Sequence, residues 1–437
     1  MQNKTSRLDL HVKGAFQHAK SCANKQNIDL VMKLIQKDAD HHHLFFNDQG
    51  FHNHLVHQLL ADYSLGADMP RLEKTYNDNA PFQRPKRPSK SDFVWNSLQC
   101  LGNEDYYTTY VDFFQEELNK KGIKRSIEYY VFEQDSRLGL YSRFLAGVYH
   151  PIIHLGYGIE FNHPLMLAEG LAWAAIHQPR SNHFYEPINK QNSELEISSK
   201  EHKNHSSLST ALEIILSVHQ DSRIDGVVQW ADEDKYTTVI NAIPDLLHEY
   251  CQQWPVSLSL DGRMGLRTRA TELQILSAAL HAGSHRAAEE IILDFFLMHT
   301  LTSSLFLHCY VELLEPRYAA SLLRGKFAAD LIYYIAHGRP YLNIEQFKSY
   351  PKLLSWEQII SKAIASEDDH VPKVVRALIH AYRYDKTQVF PVEIYQAMAS
   401  LSVDDNLYWS VDAIGFDEAW RSNKKKENLA NTRITHV

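Results

Sequence analysis

The chain has 437 residues, 44% of them hydrophobic and 22% charged, which is enough to bury one large core and is the composition of an ordinary soluble globular protein. Its net charge of -8, with no basic face beyond Lys424 to Lys426 in a polar C-terminal tail, argues against a nucleic-acid partner. No run reaches the roughly 18 apolar residues of a membrane span, the N-terminus has no apolar signal core, and Cys22, Cys100, Cys251 and Cys309 form no CxxC pair, so a reducing cytoplasm is expected.

Apolar residues recur at three- and four-residue intervals over most of the length, which predicts an all-α fold, one large multi-helix domain over residues 1–420 followed by a polar tail, 421–437. The first strong helix is predicted from about Gly50, with Gly66 as its left-handed cap, and Asp68 and Pro70 open the next. A proline-rich surface loop follows from Pro81 to Asp92, then helices at Phe93 to Leu101 and Tyr106 to Lys121. SIEYYVFEQD reads as a short strand or the start of a helix. Gly147 to Gln178 is densely apolar, whereas residues 179–207 are nearly all polar and read as a mobile lid or a disordered insertion. Further helices are predicted at Leu208 to His219, Tyr236 to Trp254, Ala270 to Leu280, Arg286 to Leu314 and Tyr318 to Ala336. Three more follow, at Trp356 to Ala365, Val371 to Tyr382 and Val392 to Ala399.

Of the 25 histidines, most fall in polar stretches such as DADHHHLFF and are expected to be solvated. The informative ones lie on apolar faces, where several converging imidazoles would suit a metal. In FHNHLVHQLL, His54 and His57 are three apart and share a helix face, while His52 points elsewhere. In HPIIHLGYGIE, Pro151 suits a first helical turn and His154 lies one turn on. Gly156 and Gly158 are expected to interrupt that helix, and Glu160 follows in surroundings where a bare carboxylate is costly. In DFFLMHTLTSS, His299 shares a stripe with Ile292, Phe295 and Thr302 on a helix continuous from Arg286, and Asp294 needs a cation, a helix N-terminus or a histidine N–H. In SEDDHVPKVVRAL, Asp368 or Asp369 caps a helix with Pro372 in its first turn, so Lys373 sits where the helix dipole disfavours an ammonium. A neutral amine there could take up carbon dioxide as an anionic carbamate. No glycine-rich strand–turn–helix fingerprint for a dinucleotide is visible.

HNHLVH with LLADYSLGA, then HPIIHLGYGIE, DFFLMHTLTSS, HGRP and DDHVPKVVRAL, in that order, resemble the questin oxidase-like family. The resemblance spans Phe51 to Leu378 and implies oxygenase chemistry on a polycyclic aromatic ketone, by ring cleavage or Baeyer–Villiger-type oxygen insertion, with O₂ and NADPH. It implies non-haem iron held by histidines and a carboxylated lysine, here His54, His57, His154, His299 and Lys373, with His150 and His370 as further candidates. His370 and Glu160 are the catalytic candidates, and Tyr157, Trp173, Phe295 and Phe296 the walls of the substrate pocket. Gln58 departs from the pattern, which often has a second histidine there. The alternatives are a metallohydrolase using a carboxylated-lysine/histidine site, and a non-catalytic helical scaffold.

Overall fold

A computed structural model describes residues 25–134, 137–190, 209–256, 262–286 and 291–426. The all-α expectation holds: helices account for most of the described chain, which forms a single domain around one continuous apolar core. The N-terminal third contains α1 (Lys25–His41), α2 (Leu55–Leu65), α3 (Met69–Asn79), α4 (Tyr107–Lys121), the short α5 (Ile123–Ile127) and α6 (Tyr141–Phe144). Next come α7 (His150–Glu160), α8 (Pro164–Ile176), α9 (Asn182–Lys190), α10 (Ala211–Gln220), α11 (Lys235–Ala242), α12 (Pro244–Gln252) and α13 (Arg263–Ala278). The last third has α14 (Phe295–Ser304), α15 (Leu307–Leu313), α16 (Pro316–Ala336), α17 (Trp356–Ala365), α18 (His370–Tyr384), α19 (Val392–Ser402) and α20 (Asp417–Lys426). No helix among the described residues is long and apolar enough to cross a membrane.

Local signals place many of the ends. Gly66 closes α2 at φ 101°, and Asp68 accepts the Arg71 amide at the start of α3. Elsewhere the structure departs from the periodic pattern. Phe93 to Leu101 forms turns rather than a helix, and SIEYYVFEQD resolves as α5 running into a π-helical turn, Glu128–Glu133. Pro244 breaks the Tyr236 to Trp254 stretch into two helices. The helix expected from Arg286 is instead a strand, β1 (Ile291–Asp294), paired in parallel with β2 (Leu407–Ser410), and α14 starts only after it. The first part of the expected lid is the packed helix α9, whose Phe184, Tyr185 and Ile188 are buried; residues 191–207 lie outside those described. The expected tail likewise begins inside α20, and residues beyond 426 lie outside those described.

Gly156 and Gly158 do not interrupt α7. They let it pack closely: a Cβ on Gly158 would stand 2.9 Å from the Leu167 backbone N of α8, and one on Gly156 would stand 2.3 Å from the Phe306 ring. DADHHHLFF is not uniformly solvated either, since His43 is buried with its ring edge-on to Tyr107 at 5.0 Å.

Candidate active site

Four elements bring the site together: α2 packs on α7 and α18, and α14 packs on the same two helices. His54 is the residue just before α2, not within it, so the helical-wheel argument that sent His52 elsewhere does not apply. His52 lies flat on His150, with ring centroids 3.8 Å apart and 4° between planes, and its Nε2 bonds His177 Nε2 at 2.8 Å. His150 opens α7 directly after Val148 and Tyr149, both in the left-handed region at φ 51° and 65°.

The protons at the centre can be placed from the partners. His150 Nδ1 lies 2.6 Å from Gly147 O and His299 Nδ1 lies 2.7 Å from Phe295 O; a carbonyl only accepts, so both nitrogens carry the hydrogen. His54 Nδ1 donates to Asp369 Oδ2 at 2.7 Å, and His370 Nδ1 donates to Asp369 Oδ1 at 2.6 Å and Asp368 Oδ1 at 3.0 Å. Asp369 stays ionised, because His370, Lys373 and His54 together outweigh the burial that would protonate it. Burial holds His54 neutral, with a pKa near 4, and pulls the pKa values of His150 and His299 well below the usual imidazole range. For His370 burial is the largest influence and lowers the pKa, but the charge of Asp369 and the bonds to Asp368 and Asp369 together outweigh it and raise the pKa.

Neutral imidazoles with hydrogen on Nδ1 leave Nε2 as a bare lone pair. His54 Nε2 and His150 Nε2 are 2.7 Å apart, so two acceptors face each other with no proton between them. His54, His299 and His370 each present a nitrogen within 4.8 Å of the others, and the buried Nε2 of His370 has no hydrogen-bond partner among the described residues. Imidazoles whose outer N–H is anchored on a carboxylate or carbonyl, with the inner nitrogen left bare, have the donor set of a metal centre. Lys373 is buried in the first turn of α18, its Nζ 3.8 Å from Asp369 Oδ2, and its pKa is lowered chiefly by desolvation. It is not the surface lysine its sequence context also permits.

The structure brings together only part of the expected ligand set. His57 and His154 turn toward each other: His154 Nε2 donates to Glu169 Oε2 at 3.1 Å, so its Nδ1 is free to accept from His57 Nε2 at 3.0 Å. Both Nε2 atoms are thereby spent as donors, the opposite tautomer from the neutral His54, His150 and His299. His150 and His370 stand where those two were expected. Glu160 does not face the centre; it ion-pairs with the buried Arg376, whose guanidinium lies over the Tyr157 and Phe161 rings. Gln58 accepts from Asn79 Nδ2 at 3.1 Å and so belongs to the α2–α3 contact.

Of the expected walls, Phe295 lies edge-on to His299 (4.6 Å) and 5.1 Å from His370. Tyr157 stacks on His57 (5.2 Å) and Trp173 on His154 (4.2 Å). Phe296 points toward Tyr333 and His337 instead. Asp294 takes two of its three predicted partners, capping α14 through the Phe296 and Leu297 amides at 2.9 Å each and accepting His337 Nδ1–H at 2.7 Å. That bond also assigns the histidine of HGRP.

Beneath the histidines lies an ion pair no local pattern announced. Lys326 and Asp330 of α16, both fully buried, are joined at 2.5 and 2.6 Å. Lys326 Nζ also donates to Thr300 O at 3.2 Å, one residue from His299, and Tyr149, one residue from His150, donates to Asp330 at 2.8 Å.

Comparison with known proteins agrees with the motifs. A Baeyer–Villiger oxidase of Pestalotiopsis microspora is 30% identical over 435 residues, covering 92% of this chain and 94% of that protein. A Baeyer–Villiger monooxygenase of a Cryptosporiopsis species is 30% identical over 91% of this chain and 93% of its own. A questin oxidase of Aspergillus terreus is 25% identical over 90% and 92%. These relatives extend along nearly their full length, and the protein is an oxidoreductase of the oxygenase type, as they are. The sequence profile of the questin oxidase-like family matches residues 51–378, which include every histidine of the centre and Lys373, and the chain belongs to that family.

Proposed function

We propose that the protein is a metal-dependent oxygenase, with iron as the metal, that acts on an aromatic or polycyclic ketone by ring cleavage or Baeyer–Villiger-type oxygen insertion. The names of the relatives support the reaction class. The observation that carries the metal is the pair of bare Nε2 atoms of His54 and His150, 2.7 Å apart, which repel unless an electrophile lies between them. His54, His150, His299 and His370 would hold the ion, and Lys373, as a carbamate, would add an oxygen. Iron bound there supplies Lewis acidity and electron transfer toward O₂ and the substrate.

The protein's own groups prepare that step. Asp369 fixes the Nδ1 protons of His54 and His370 at once, holding both rings in one orientation. Phe295 lines the centre with an apolar edge that excludes water. The His57–His154–Glu169 chain holds its protons in bonds of its own beside the centre, the His57 ring 6.0 Å from that of His54, with Tyr107 donating to the same carboxylate at 3.3 Å. A metallohydrolase could seat a second ion on Asp368, Asp369 and His370, whose ligand atoms lie within 4.8 Å of one another, but the relatives carry the names of oxidases and monooxygenases. For that reason the oxygenase reading is favoured.

Metal analysis of protein purified without oxygen tests this. The expected result is one iron per chain in the wild type, with His54→Ala and His299→Ala each lowering metal affinity by more than about tenfold at unchanged helicity. Metal content equal to wild type in both variants would sink the assignment. Oxygen uptake with an aromatic ketone, stoichiometric with product, tests the reaction separately.

A further inference from the structure

A second pair of polar groups, which the centre does not use, lies against it. α13 continues into a π-helical turn, Ala279–Gly283, a rare backbone form that concentrates at functional sites, and this turn carries His281. The His281 ring packs on Trp409 of β2 with centroids 5.8 Å apart, and the Trp409 ring lies 6.2 Å from that of His370. His281 is 0% exposed and Trp409 2%.

The tautomer of His281 follows from its partner. Ser402 spends its one hydroxyl hydrogen on Met398 O at 2.9 Å, so its oxygen can only accept from His281 Nε2 at 3.0 Å. Nδ1 is then a bare acceptor, and burial keeps the ring neutral, with a pKa near 3. That Nδ1 has no hydrogen-bond partner among the described residues, and neither has the indole N–H of Trp409. One buried acceptor and one buried donor, on rings in contact, are therefore both unsatisfied.

We propose that His281 and Trp409 form a recognition subsite for a hydroxyl group on the aromatic substrate, the hydroxyl donating to His281 Nδ1 and accepting from the Trp409 indole N–H. The proposal rests on reading the histidine centre as the reaction site, because the ring bearing that hydroxyl would then lie beside His370. The chemistry is selective. A ketone or ether oxygen satisfies Trp409 and leaves His281 unpaired, an ammonium does the reverse, and a hydroxyl answers both through a single atom. Phenols are the aromatic ligands that carry one.

Phenol and toluene, which differ by a hydroxyl in place of a methyl group of similar size, are the probes, and calorimetric titration of the full-length protein is the measurement. The wild type is expected to bind phenol about tenfold tighter than toluene or better. Trp409→Phe keeps an aromatic ring without the N–H, and His281→Leu removes the acceptor. Both should bring the ratio close to one and leave toluene affinity within about twofold. Thermal melts confirm folding, and Trp409→Phe decides alone where His281→Leu melts early. Equal binding of the two probes by wild type overturns the subsite, as does a phenol preference that survives Trp409→Phe. A crystal structure of the phenol complex with a water between Trp409 and His281, and phenol elsewhere, would overturn it too. His54→Ala separates the two ideas: lost metal with retained phenol preference supports both, while retained metal with that preference sinks the metal assignment alone.

Discussion

At Lys373 three forces meet. Burial and the positive end of α18 oppose its ammonium, while Asp369 at 3.8 Å favours it, and the net effect is a lowered pKa. A neutral amine is the form that takes up carbon dioxide, and the resulting anion beside ionised Asp369 would need a cation close by. Lys373→Arg keeps the charge but cannot be carboxylated, so it is expected to lose metal affinity by about tenfold or more, whereas Lys373→Glu retains part of it. Metal titration of the two variants, with and without bicarbonate, measures this; an arginine variant that binds metal like wild type leaves Lys373 outside the ligand set. Glu160 leads to the opposite expectation. Its carboxylate serves Arg376, and Glu160→Gln should cost about 3–5 kcal/mol of stability by stranding a buried guanidinium. The turnover number of the folded fraction should stay near wild type, and a large loss there would restore Glu160 to the chemistry.

Between residue and fold, the elements under the histidines are held against local preference. Left-handed φ at Val148 and Tyr149, neither a glycine, costs about 1–3 kcal/mol per residue. The Tyr149 hydroxyl on Asp330, with Lys326 reaching Thr300 O, ties the start of α7 to α14 and so sets His150 against His299. Tyr149→Phe should cost about 1–2 kcal/mol and weaken metal binding, while Asp330→Asn should cost more, about 3–5 kcal/mol, because it leaves Lys326 buried without its counter-ion. Urea unfolding beside metal titration would show both effects; unchanged metal affinity in Tyr149→Phe would reduce the contact to packing. None of this was legible in the sequence, since an i,i+4 Lys–Asp pair reads as a solvated helix face and its partners lie far away along the chain. The C-terminal end of α2, the start of α3 and the whole of α17 were legible because Gly66, Asp68 and the apolar period act within a few residues, whereas α2 starts at Leu55 and not near Gly50. The strand β1 was not: three apolar residues before an aspartate read equally well as helix, and its pairing with β2 lies beyond any local window. The same reach explains the histidines. His54 and His299 could be singled out by their apolar faces. Which histidines turn a bare nitrogen to the centre, as His150 does and His154 does not, depends on which nitrogen carries the proton, and Gly147 O and Glu169 decide that through contacts made only on folding.

Over the whole molecule, burying so many imidazoles has a consequence in acid. His177 and His308 are pulled down to about 4 and His281 to about 3, in each case first by desolvation, and none of them belongs to the proposed ligand set. An unfolded histidine titrates near 6.5, so between that value and the folded one the unfolded chain binds more protons. Their contribution to stability is therefore complete above about pH 6.5 and is lost as pH falls toward 4. Asp62 works the other way over much of the same window, because burial pushes its pKa up to about 7 and it favours the fold while protonated. Setting Asp62 against one histidine leaves about two protons, or a slope of about 3 kcal/mol per pH unit near pH 5. The other buried imidazoles, among them His52 and His380, shift in the same direction and steepen it, while the buried carboxyls of Asp38, Glu160 and Asp330, pushed up by desolvation, oppose them. Melting temperature measured in chelator from pH 7.5 to 4.5 should hold above about pH 6.5 and then fall steeply, with the slope reduced in His281→Leu. A melting temperature that stayed level or rose on acidification would mean that these imidazoles are charged inside the fold, contrary to the tautomers on which both the metal centre and the hydroxyl subsite depend.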